Sequence, residues 1–390
     1  MRPNNLLVFI VLVITPASLY PAIVSFTGFE SGSTIEAAAT SGTLSIQTST
    51  KRTGDYGLRV NPTTTNVGYF QHTGRNGATG LTLNENDAET FYRFYFQYAT
   101  KPLTGTEDIA QAISTANTTK FSLRISSDGV LAAYDSAGAS LSTGTTVLAA
   151  STWYRIEMKV GTGAAADWEV RINGVSELSG TGNLLTSNNA VLRMGKVVNR
   201  NGNSVDFFYD DAKLDNSAYP AESEVKRMDV DSDGSFTAWT IGTGAGDDYT
   251  NLDEVPTDGN TTHLISLTPG NVSTAGLEST SAAGVSGTVN AVLPVTYSTM
   301  DSANSTATVR FVSGGSNFHV SPTVAGGARM IGRYYSTDPA TGSAWVLSAL
   351  DSVEVGMVEG SSLDETRFST AHMFVDYVPS TGRRRVILAN

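Results

Sequence analysis

The stretch Ser151–Leu178, STWYRIEMKVGTGAAADWEVRINGVSEL, indicates the fold class of this chain. Apolar or aromatic residues occupy every second position along both of its arms: Tyr154, Ile156, Met158 and Val160, then Trp168, Val170 and Ile172. A period of two is typical of a β-strand with one buried face. The dipeptide Asn173-Gly174 tolerates positive φ at both positions and favours a hairpin turn. The stretch therefore predicts antiparallel strands joined by short connections.

The same alternation recurs through the first half of the sequence. In FYRFYFQYA, four aromatic residues fall on one face of the predicted strand: Tyr92, Phe94, Phe96 and Tyr98. Further along, apolar residues alternate with Lys, Ser and Arg, and an Asp-Gly turn follows them: Phe121, Leu123 and Ile125. No segment shows a convincing helical period. We therefore predict that this half is all-β.

Seven motifs follow one another between residues 23 and 216: FTGFESG, YGLRV, FYRFYFQY, SDGVLAAYD, TWYRIEMKV, WEVRINGV and VDFFYDDAKLD. Their order resembles the laminin-G-like/concanavalin A-like jelly-roll family. The most specific part is the pair TWYRIE and WEVRINGV, where that family has a Trp-Tyr strand and then a strand ending in Asn-Gly or Asp-Gly. The resemblance implies two antiparallel sheets packed face to face. It specifies the fold and leaves the ligand open.

The second half of the sequence contains another β-rich block. Residues 217–230 are polar with one proline and are interpreted as a linker, and residues 231–390 as a second β-sandwich module. Trp239 near its start, the LDE stretch and the closing turn TDPATGSAW resemble a module of virion-associated proteins of tailed bacteriophages. Those sequences usually have Asn where this chain has Asp338. The resemblance implies a location on a virion rather than a chemistry.

Residues 1–22 have the features of an export leader. Arg2 precedes the apolar run Leu6–Ile14, and a segment with small residues follows. The run is too short for a transmembrane helix, which needs about 20 residues. Two alternatives stay open: translation starts further downstream, or the segment is a strand exchanged with a neighbouring subunit. We expect no membrane span in the mature protein.

The overall charge argues against nucleic-acid binding. Acidic residues outnumber basic ones 37 to 25, which gives a net charge of −12. A nucleic-acid surface needs clustered Lys and Arg, and the basic run here is the short Arg383–Arg385. The sequence has no cysteine, which excludes disulfides and thiolate metal sites. Stability must then come from packing.

Two acidic segments raise the question of calcium. Asp229, Asp231 and Asp233 alternate and precede a glycine, which is the spacing of a calcium-binding loop. Position twelve of such a loop should be Glu, and here it is Thr240. Asp210-Asp211 is a second candidate by the laminin-G-like resemblance, since loop carboxylates in that family often hold calcium. We predict no required cofactor, with calcium at the first loop as the alternative.

A possible catalytic motif precedes the aromatic strand. Glu85, Asp87 and Glu89 have the Glu-x-Asp-x-Glu spacing of β-glucanases that share the concanavalin-like sandwich. A period of two would point all three carboxylates into one cleft, as retaining hydrolysis requires. In those enzymes the intervening residues are apolar, whereas here they are Asn86 and Ala88. The segment is therefore interpreted as a polar loop, and no catalytic residue is predicted.

Aromatic and amide side chains in loops are the better candidates for contacts to a ligand. Loops at the end of a sandwich commonly carry recognition, and the predicted ligand-binding residues are Tyr69, Tyr134, Asn199, Asn201 and Asn203. Four tryptophans are expected to fill the core more than to stack on sugars: Trp153, Trp168, Trp239 and Trp345. Four histidines lie far apart and are expected at the surface or on edge strands: His72, His263, His319 and His372.

These observations predict two antiparallel β-sandwich (jelly-roll) domains in tandem. The favoured function is that of a non-enzymatic phage virion protein, associated with the tail, a fibre or head decoration, that attaches to glycans or to neighbouring virion proteins. We expect it on the virion surface or outside the cell, as a homo-oligomer such as a homotrimer. The alternatives are a secreted bacterial lectin-like adhesin and a glucan hydrolase of concanavalin-like fold.

Overall fold

The computed structural model describes residues 23–37, 39–73, 88–114, 116–259, 261–300, 306–325, 327–360 and 365–380. The first sandwich is built from fifteen strands: β1 Ile23–Thr27, β2 Ala39–Gly42, β3 Leu44–Gln47, β4 Gly57–Val60, β5 Gly68–Thr73, β6 Thr90–Thr100, β7 Thr106–Ser114, β8 Thr119–Ser126, β9 Val130–Tyr134, β10 Ser140–Val147, β11 Tyr154–Val160, β12 Ala166–Ile172, β13 Val175–Gly182, β14 Asn189–Lys196 and β15 Asp206–Asp215.

These strands form two antiparallel sheets with one apolar core between them. Sheet A has the order β13-β12-β11-β6-β15-β4-β3, with β1 also paired to β15, and sheet B has the order β10-β9-β8-β7-β14-β5-β2. The inner face of sheet A supplies the alternating aromatic residues of β6, and the inner face of sheet B supplies the apolar residues of β8. The all-β sandwich predicted from the sequence is confirmed.

The hairpin that opens the sequence analysis forms the outer part of sheet A. β11 pairs with β12 so that Met158 lies opposite Val170 and Val160 opposite Trp168, and the core-facing residues of both strands are buried. Asn173 and Gly174 have φ of 53° and 85°, as expected for a tight hairpin turn leading into β13. The predicted alternation and the turn are both confirmed.

The second sandwich contains the remaining strands: β16 Glu224–Thr237, β17 Thr240–Thr243, β18 His263–Ser266, β19 Val272–Leu277, β20 Thr288–Met300, β21 Thr306–Ser313, β22 Ser316–Ala325, β23 Gly327–Gly332, β24 Glu354–Glu359 and β25 Thr366–Val378. They form one antiparallel sheet of order β17-β18-β25-β16-β19-β24-β21-β22, with β20 joined to β25 and β23 joined to β20.

The long strand β16 lets this sheet fold over its own core. Its first half, up to Asp229, pairs with β25, and its second half pairs with β19, with a register irregularity between Val230 and Ser232. Bulges bend a strand and allow it to contribute to two packed layers. Phe311 from one layer and Met373 from the other lie in the same buried cluster.

Helices are short in the described part of the chain. Two 3-10 helices span Thr34–Glu36 and Asp248–Asn251, and one α-helix spans Leu347–Leu350. No helix among the described residues has the length and apolar character needed to cross a lipid bilayer.

The predicted linker of residues 217–230 is wrong from Glu224 onward. Residues from Glu224 belong to β16, because Val225 and Met228 are fully buried on this strand. Val225 packs in a cluster that joins the two sandwiches, and Met228 lies in the second core. The connection between the sandwiches is therefore the shorter segment 216–223.

The junction between the sandwiches has an apolar part and an ionic part. Phe26 of the first sandwich packs with Val225, Leu293 and Phe374 of the second. Beside them the ammonium group of Lys213 pairs with the Asp376 carboxylate, and both side chains are at most 1% exposed. Asp376 also accepts hydrogen bonds from Ser223 Oγ at 2.7 Å and Asn290 Nδ2 at 3.0 Å. A buried charge pair with its lone pairs satisfied in this way fixes the contact geometry.

Candidate functional site

The outer face of sheet A is covered by the connecting segment. The guanidinium of Arg171 lies 3.7 Å from the ring centroid of Tyr219, whose hydroxyl donates to Glu169 at 2.8 Å. Arg93 donates to Ser223 Oγ at 2.9 Å, and Arg155 donates to Glu222 at 3.1 Å. These polar residues of the face therefore hold residues 217–223 against sheet A.

The outer face of sheet B carries a row of polar side chains across five neighbouring strands. Residues directly opposite in the register are, from β9 to β5, Tyr134, Ser122, Gln111, Arg193 and Gln71. Residues paired across antiparallel strands point to the same side of the sheet. The intervening residues, such as Leu123, Ala110, Met194 and Phe70, lie in the core. The row is therefore on the side away from the core.

Arg193 is the centre of one half of this row. Its Nε donates to Gln71 at 2.8 Å, and its Nη2 donates to Asn117 at 2.6 Å. Its guanidinium carbon lies 5.2 Å from the ring centroid of Tyr69, which is two residues from Gln71 and therefore on the same face. Arg193, Gln71 and Tyr69 are each partly exposed. A planar cation and an aromatic ring are thus presented together.

Asp108 organises the other half. Its Oδ1 accepts from Arg124 Nε at 3.1 Å and from Arg200 Nε at 3.2 Å, and its Oδ2 accepts from Gln111 at 3.2 Å. Arg124 in turn lies 3.5 Å from the ring centroid of Tyr134. The Nη2 of Arg124 is buried and has no hydrogen-bond partner among the described residues.

Burial and charge act in opposite directions on these groups. Burial raises the pKa of the Asp108 carboxyl, while Arg200 and Arg124 lower it. Burial lowers the pKa of Arg124, and the neighbouring Asp108 raises it. Arg193 also has a pKa lowered by burial. A desolvated guanidinium forms stronger hydrogen bonds to an anionic acceptor than one in bulk water.

The structure brings two of the five predicted ligand-binding residues to this face, Tyr69 and Tyr134. Asn199 and Asn201 are exposed in the loop that also carries Arg200. Asn203 is buried, and its amide oxygen accepts from the backbone of Leu103 and Thr104 while its nitrogen donates to Glu107. All of these hydrogen bonds are internal, so Asn203 holds two loops together and its assignment as a ligand contact is not supported by its surroundings.

The calcium loop predicted at Asp229, Asp231 and Asp233 is not formed. These residues lie on the extended strand β16, where alternate side chains are more than 6 Å apart along the chain. Asp229 pairs with Arg227, and Asp233 accepts from the backbone nitrogen of Tyr249 at 2.9 Å. No group of three acidic or histidine side chains in the described ranges is arranged to hold a metal ion.

The second calcium candidate, Asp210-Asp211, lies buried on β15. Asp211 accepts from Arg52 Nη1 at 2.6 Å and from Val225 N at 2.8 Å. Asp210 accepts from the backbone nitrogens of Arg52 and Thr53, and burial together with nearby Asp211 raises its pKa well above the usual range. Both acids tie the loop at residues 52–53 to the junction.

The glucanase-like motif lies mostly outside the described residues, which include Glu89 but neither Glu85 nor Asp87. Glu89 precedes β6 and forms an ion pair with Lys159 at 2.8 Å. The expectation that the histidines lie at the surface or on edge strands is wrong for His72, His263 and His372. They are at most 6% exposed, and their strands β5, β18 and β25 have neighbours on both sides. The side chain of His319 lies outside the described part.

The preference for tryptophan as core filler is confirmed for three residues, since Trp168, Trp239 and Trp345 are at most 5% exposed. Trp153 is partly exposed at the start of the hairpin. None of the four lies on the polar row of sheet B. The aromatic contribution to that row is made by tyrosine.

Comparisons with known proteins give structural matches alone. No family model matches the chain. No relative is found among curated proteins. A protein described as "Cellulose induced protein, Cip1" matches 50% of this chain and 100% of its own length at 14% identity and a TM-score of 0.39. An endo-β-1,4-glucuronan lyase from Trichoderma reesei matches 45% of this chain and 87% of its own at 13% identity and a TM-score of 0.34.

A third match is a structure of botulinum neurotoxin type C, described as interacting with two ganglioside molecules. It covers 61% of this chain and 65% of its own, at 10% identity and a TM-score of 0.33. Identities and TM-scores of this size assign neither a family nor an activity to this chain. The resemblance of the second block to a phage module has no match in these comparisons and stays a prediction.

Proposed function

We propose that this protein is a non-enzymatic glycan-binding protein and that the outer face of sheet B is its binding surface. The observation that supports this most directly is the group of partly exposed side chains Arg193, Gln71 and Tyr69 at one end of the polar row, with the partly exposed Tyr134 at the other end. Sugar rings stack their C–H faces on aromatic rings and satisfy their hydroxyls with planar polar groups. The row supplies both kinds of contact.

The same face supports binding over bond cleavage. Glycoside hydrolysis uses two carboxyl groups, about 5–5.5 Å apart in retaining enzymes. The carboxylate of the described polar row is Asp108, which is 0% exposed and engaged by Arg124, Arg200 and Gln111. A carboxylate held in this way orients arginines and lacks access to a glycosidic oxygen.

We further propose that the protein acts on the surface of a phage virion, as a homo-oligomer that attaches to host glycans or to neighbouring virion proteins. The support for this location is the resemblance of residues 231–390 to the phage module and the absence of cysteine. Mass spectrometry of the mature N-terminus tests it. An intact Met1 in purified particles supports direct assembly, whereas cleavage near Ala17–Ala22 supports the secreted adhesin instead.

The binding surface is tested by Arg193→Ala with Arg171→Ala as the matched control. Both residues are partly exposed arginines beside a tyrosine, but Arg193 lies on the outer face of sheet B, whereas Arg171 lies on that of sheet A, against the connecting segment. Isothermal titration with neutral and uronate oligosaccharides is expected to show a loss of at least about tenfold in affinity for Arg193→Ala and no change for Arg171→Ala. Equal affinities for the two variants, or no binding to any oligosaccharide, would refute the assignment.

The non-enzymatic part is tested with the same oligosaccharides. Prolonged incubation is expected to release no reducing ends and to produce no absorbance near 235 nm from unsaturated uronates. Either signal, lost in Arg193→Ala and retained in Arg171→Ala, would show that the face cleaves glycans.

A further inference from the structure

The second sandwich contains a cleft that none of the sites above uses. It has a volume of about 460 Å³ and is lined by residues that include Asn317, Phe318, Arg333, Tyr335, Thr337 and Pro339. The volume falls within the range of about 300–1,000 Å³ typical of small-ligand sites. It lies between the start of β22 and the segment that follows β23.

The walls of this cleft are fixed by the turn TDPATGSAW noted in the sequence. Asp338 accepts from Ser313 Oγ at 2.7 Å and from the backbone of Ala340 at 3.0 Å, which holds the wall formed by Thr337 and Pro339. Trp345 is buried and donates its indole N–H to the Tyr335 carbonyl at 3.0 Å. Fixed walls lower the entropic cost of binding a ligand.

Tyr335 is held from a second side as well. Its backbone forms two hydrogen bonds with Val292, at 2.9 and 3.0 Å, and its ring stacks on Phe311 at a centroid distance of 5.1 Å. The side chain is 9% exposed, yet its hydroxyl has no hydrogen-bond partner among the described residues. A buried hydroxyl without a partner is a costly feature in a finished core. Tyr335 also lines the cleft.

Arg333 gives the cleft its charge. The side chain is exposed, and its guanidinium carbon lies 5.4 Å from the ring centroid of Tyr335. It forms no salt bridge with any acid in the described ranges. A planar guanidinium beside an aromatic ring binds a carboxylate through two parallel hydrogen bonds while the ring contacts the attached sugar.

We propose that this cleft binds a saccharide that carries a carboxylate, with Arg333 as the carboxylate-binding residue and Phe318 and Tyr335 as the apolar contacts. The site is separate from the sheet B face, so the proposal does not depend on the proposed function of that face. Asn317 and Thr337 supply exposed polar groups for the sugar hydroxyls.

The experiment uses the full chain carrying Arg193→Ala, so that any contribution of sheet B is removed. Tetragalacturonate and its fully methyl-esterified form are the probes, because they differ in charge and share the same sugar backbone. Titration calorimetry is expected to detect one binding event with tetragalacturonate and at least tenfold weaker binding of the ester. Adding Arg333→Ala is expected to weaken tetragalacturonate binding at least tenfold, and Arg333→Lys to have an intermediate effect.

Thermal unfolding followed by circular dichroism is the folding control. Arg333 is exposed, so its substitution is expected to shift the unfolding midpoint by no more than about 2 °C. Equal binding of the acid and its ester, an unchanged dissociation constant after Arg333→Ala, or no binding of tetragalacturonate in the Arg193→Ala chain would each overturn the proposal. If sheet B binds no glycan, Arg193→Ala leaves the affinity for tetragalacturonate unchanged, whereas Arg333→Ala still lowers it. The two proposals can therefore fail independently.

Discussion

The outer faces of sheets A and B in the first sandwich both carry arginine–tyrosine pairs, but the pairs have different roles. On sheet A, Arg171 lies 3.7 Å from the ring of Tyr219, and on sheet B, Arg124 lies 3.5 Å from the ring of Tyr134. The first pair is part of the contact with the connecting segment, and its arginine side chain is 32% exposed. The second pair adjoins the polar row, and its arginine side chain is 6% exposed. An arginine–tyrosine pair therefore has no fixed role, because that role depends on what the two side chains contact.

The largest expected effect on stability comes from breaking the buried ion pair at the junction between the two sandwiches. Asp376→Ala leaves the ammonium group of Lys213 buried without a partner carboxylate. Removing one member of a buried ion pair costs about 3–5 kcal/mol. Urea unfolding is expected to show a decrease of this size in the free energy of unfolding.

The double variant Lys213→Met/Asp376→Leu is the control for this effect. It removes both charges and keeps similar volumes, so it is expected to recover most of the lost stability. A loss below about 1 kcal/mol for Asp376→Ala would mean that water reaches the pair and that the junction is not tightly packed.

His72 tests the core between the two faces, because it links sheet A to sheet B. It lies opposite Leu192 on sheet B and shares a hydrogen bond of 2.5 Å with Ser25 of β1, which belongs to sheet A. Burial lowers its pKa to about 3. The folded protein therefore keeps this histidine neutral at pH values where the unfolded chain protonates it near its ordinary pKa of about 6.5.

Stability contributed by a neutral buried histidine is lost as pH falls below the unfolded pKa. From this group we expect a loss of about 2 kcal/mol between pH 7 and pH 5, and the decline continues to about pH 3. Denaturant unfolding of wild type and His72→Gln at both pH values gives the difference, since the other titrating groups contribute equally to both proteins. Identical pH slopes would contradict the burial of His72.

The smallest effects come from the matched tyrosines. Tyr219→Leu removes a ring contact with Arg171 and the hydrogen bond to Glu169, so a loss of about 1–2 kcal/mol of stability is expected without any change in glycan affinity. Tyr134→Leu is expected to cost less than about 1 kcal/mol of stability and to weaken glycan binding about tenfold. Urea unfolding and calorimetric titration of both variants measure these effects. A loss of glycan affinity in Tyr219→Leu but not in Tyr134→Leu would mean that sheet A, and not sheet B, binds the glycan.

Local pattern was sufficient to predict most of the first sandwich. The alternation in β6, β8, β11 and β12 identified the buried face of each strand. When only one face of a strand is buried, shifting the strand by one residue would expose all of its apolar side chains, so a single pairing register is favoured. The end of the linker was missed because Glu224 and Lys226 are polar. Val225, which lies between them, and Met228 are buried, and that burial depends on a second sandwich that local reasoning did not place.

The site was predicted in part. Tyr69 and Tyr134 were found as aromatic residues near loops, but Arg193 and Gln111 were missed because their meeting depends on β7 and β14 becoming neighbours. One sequence signal for the outer face of sheet B was present. In β8 the positions between the apolar residues are Ser122 and Arg124, which mark the outward side of that strand. The calcium loop was predicted wrongly at Asp229, Asp231 and Asp233, because the spacing of a calcium-binding loop also occurs in a continuous strand.

Strand β1 has a consequence for how the chain is made on the ribosome. Ile23–Thr27 pairs with β15, and the carbonyl of Phe26 accepts a hydrogen bond from Tyr334, which lies 308 residues further along the chain. Domains usually fold one after another as they emerge during translation. Here β1 can pair with β15 as soon as residue 215 has emerged. The contacts of Phe26 with Tyr334 and Phe374 form only after the second sandwich has been synthesised, so this apolar side chain must wait for its burial.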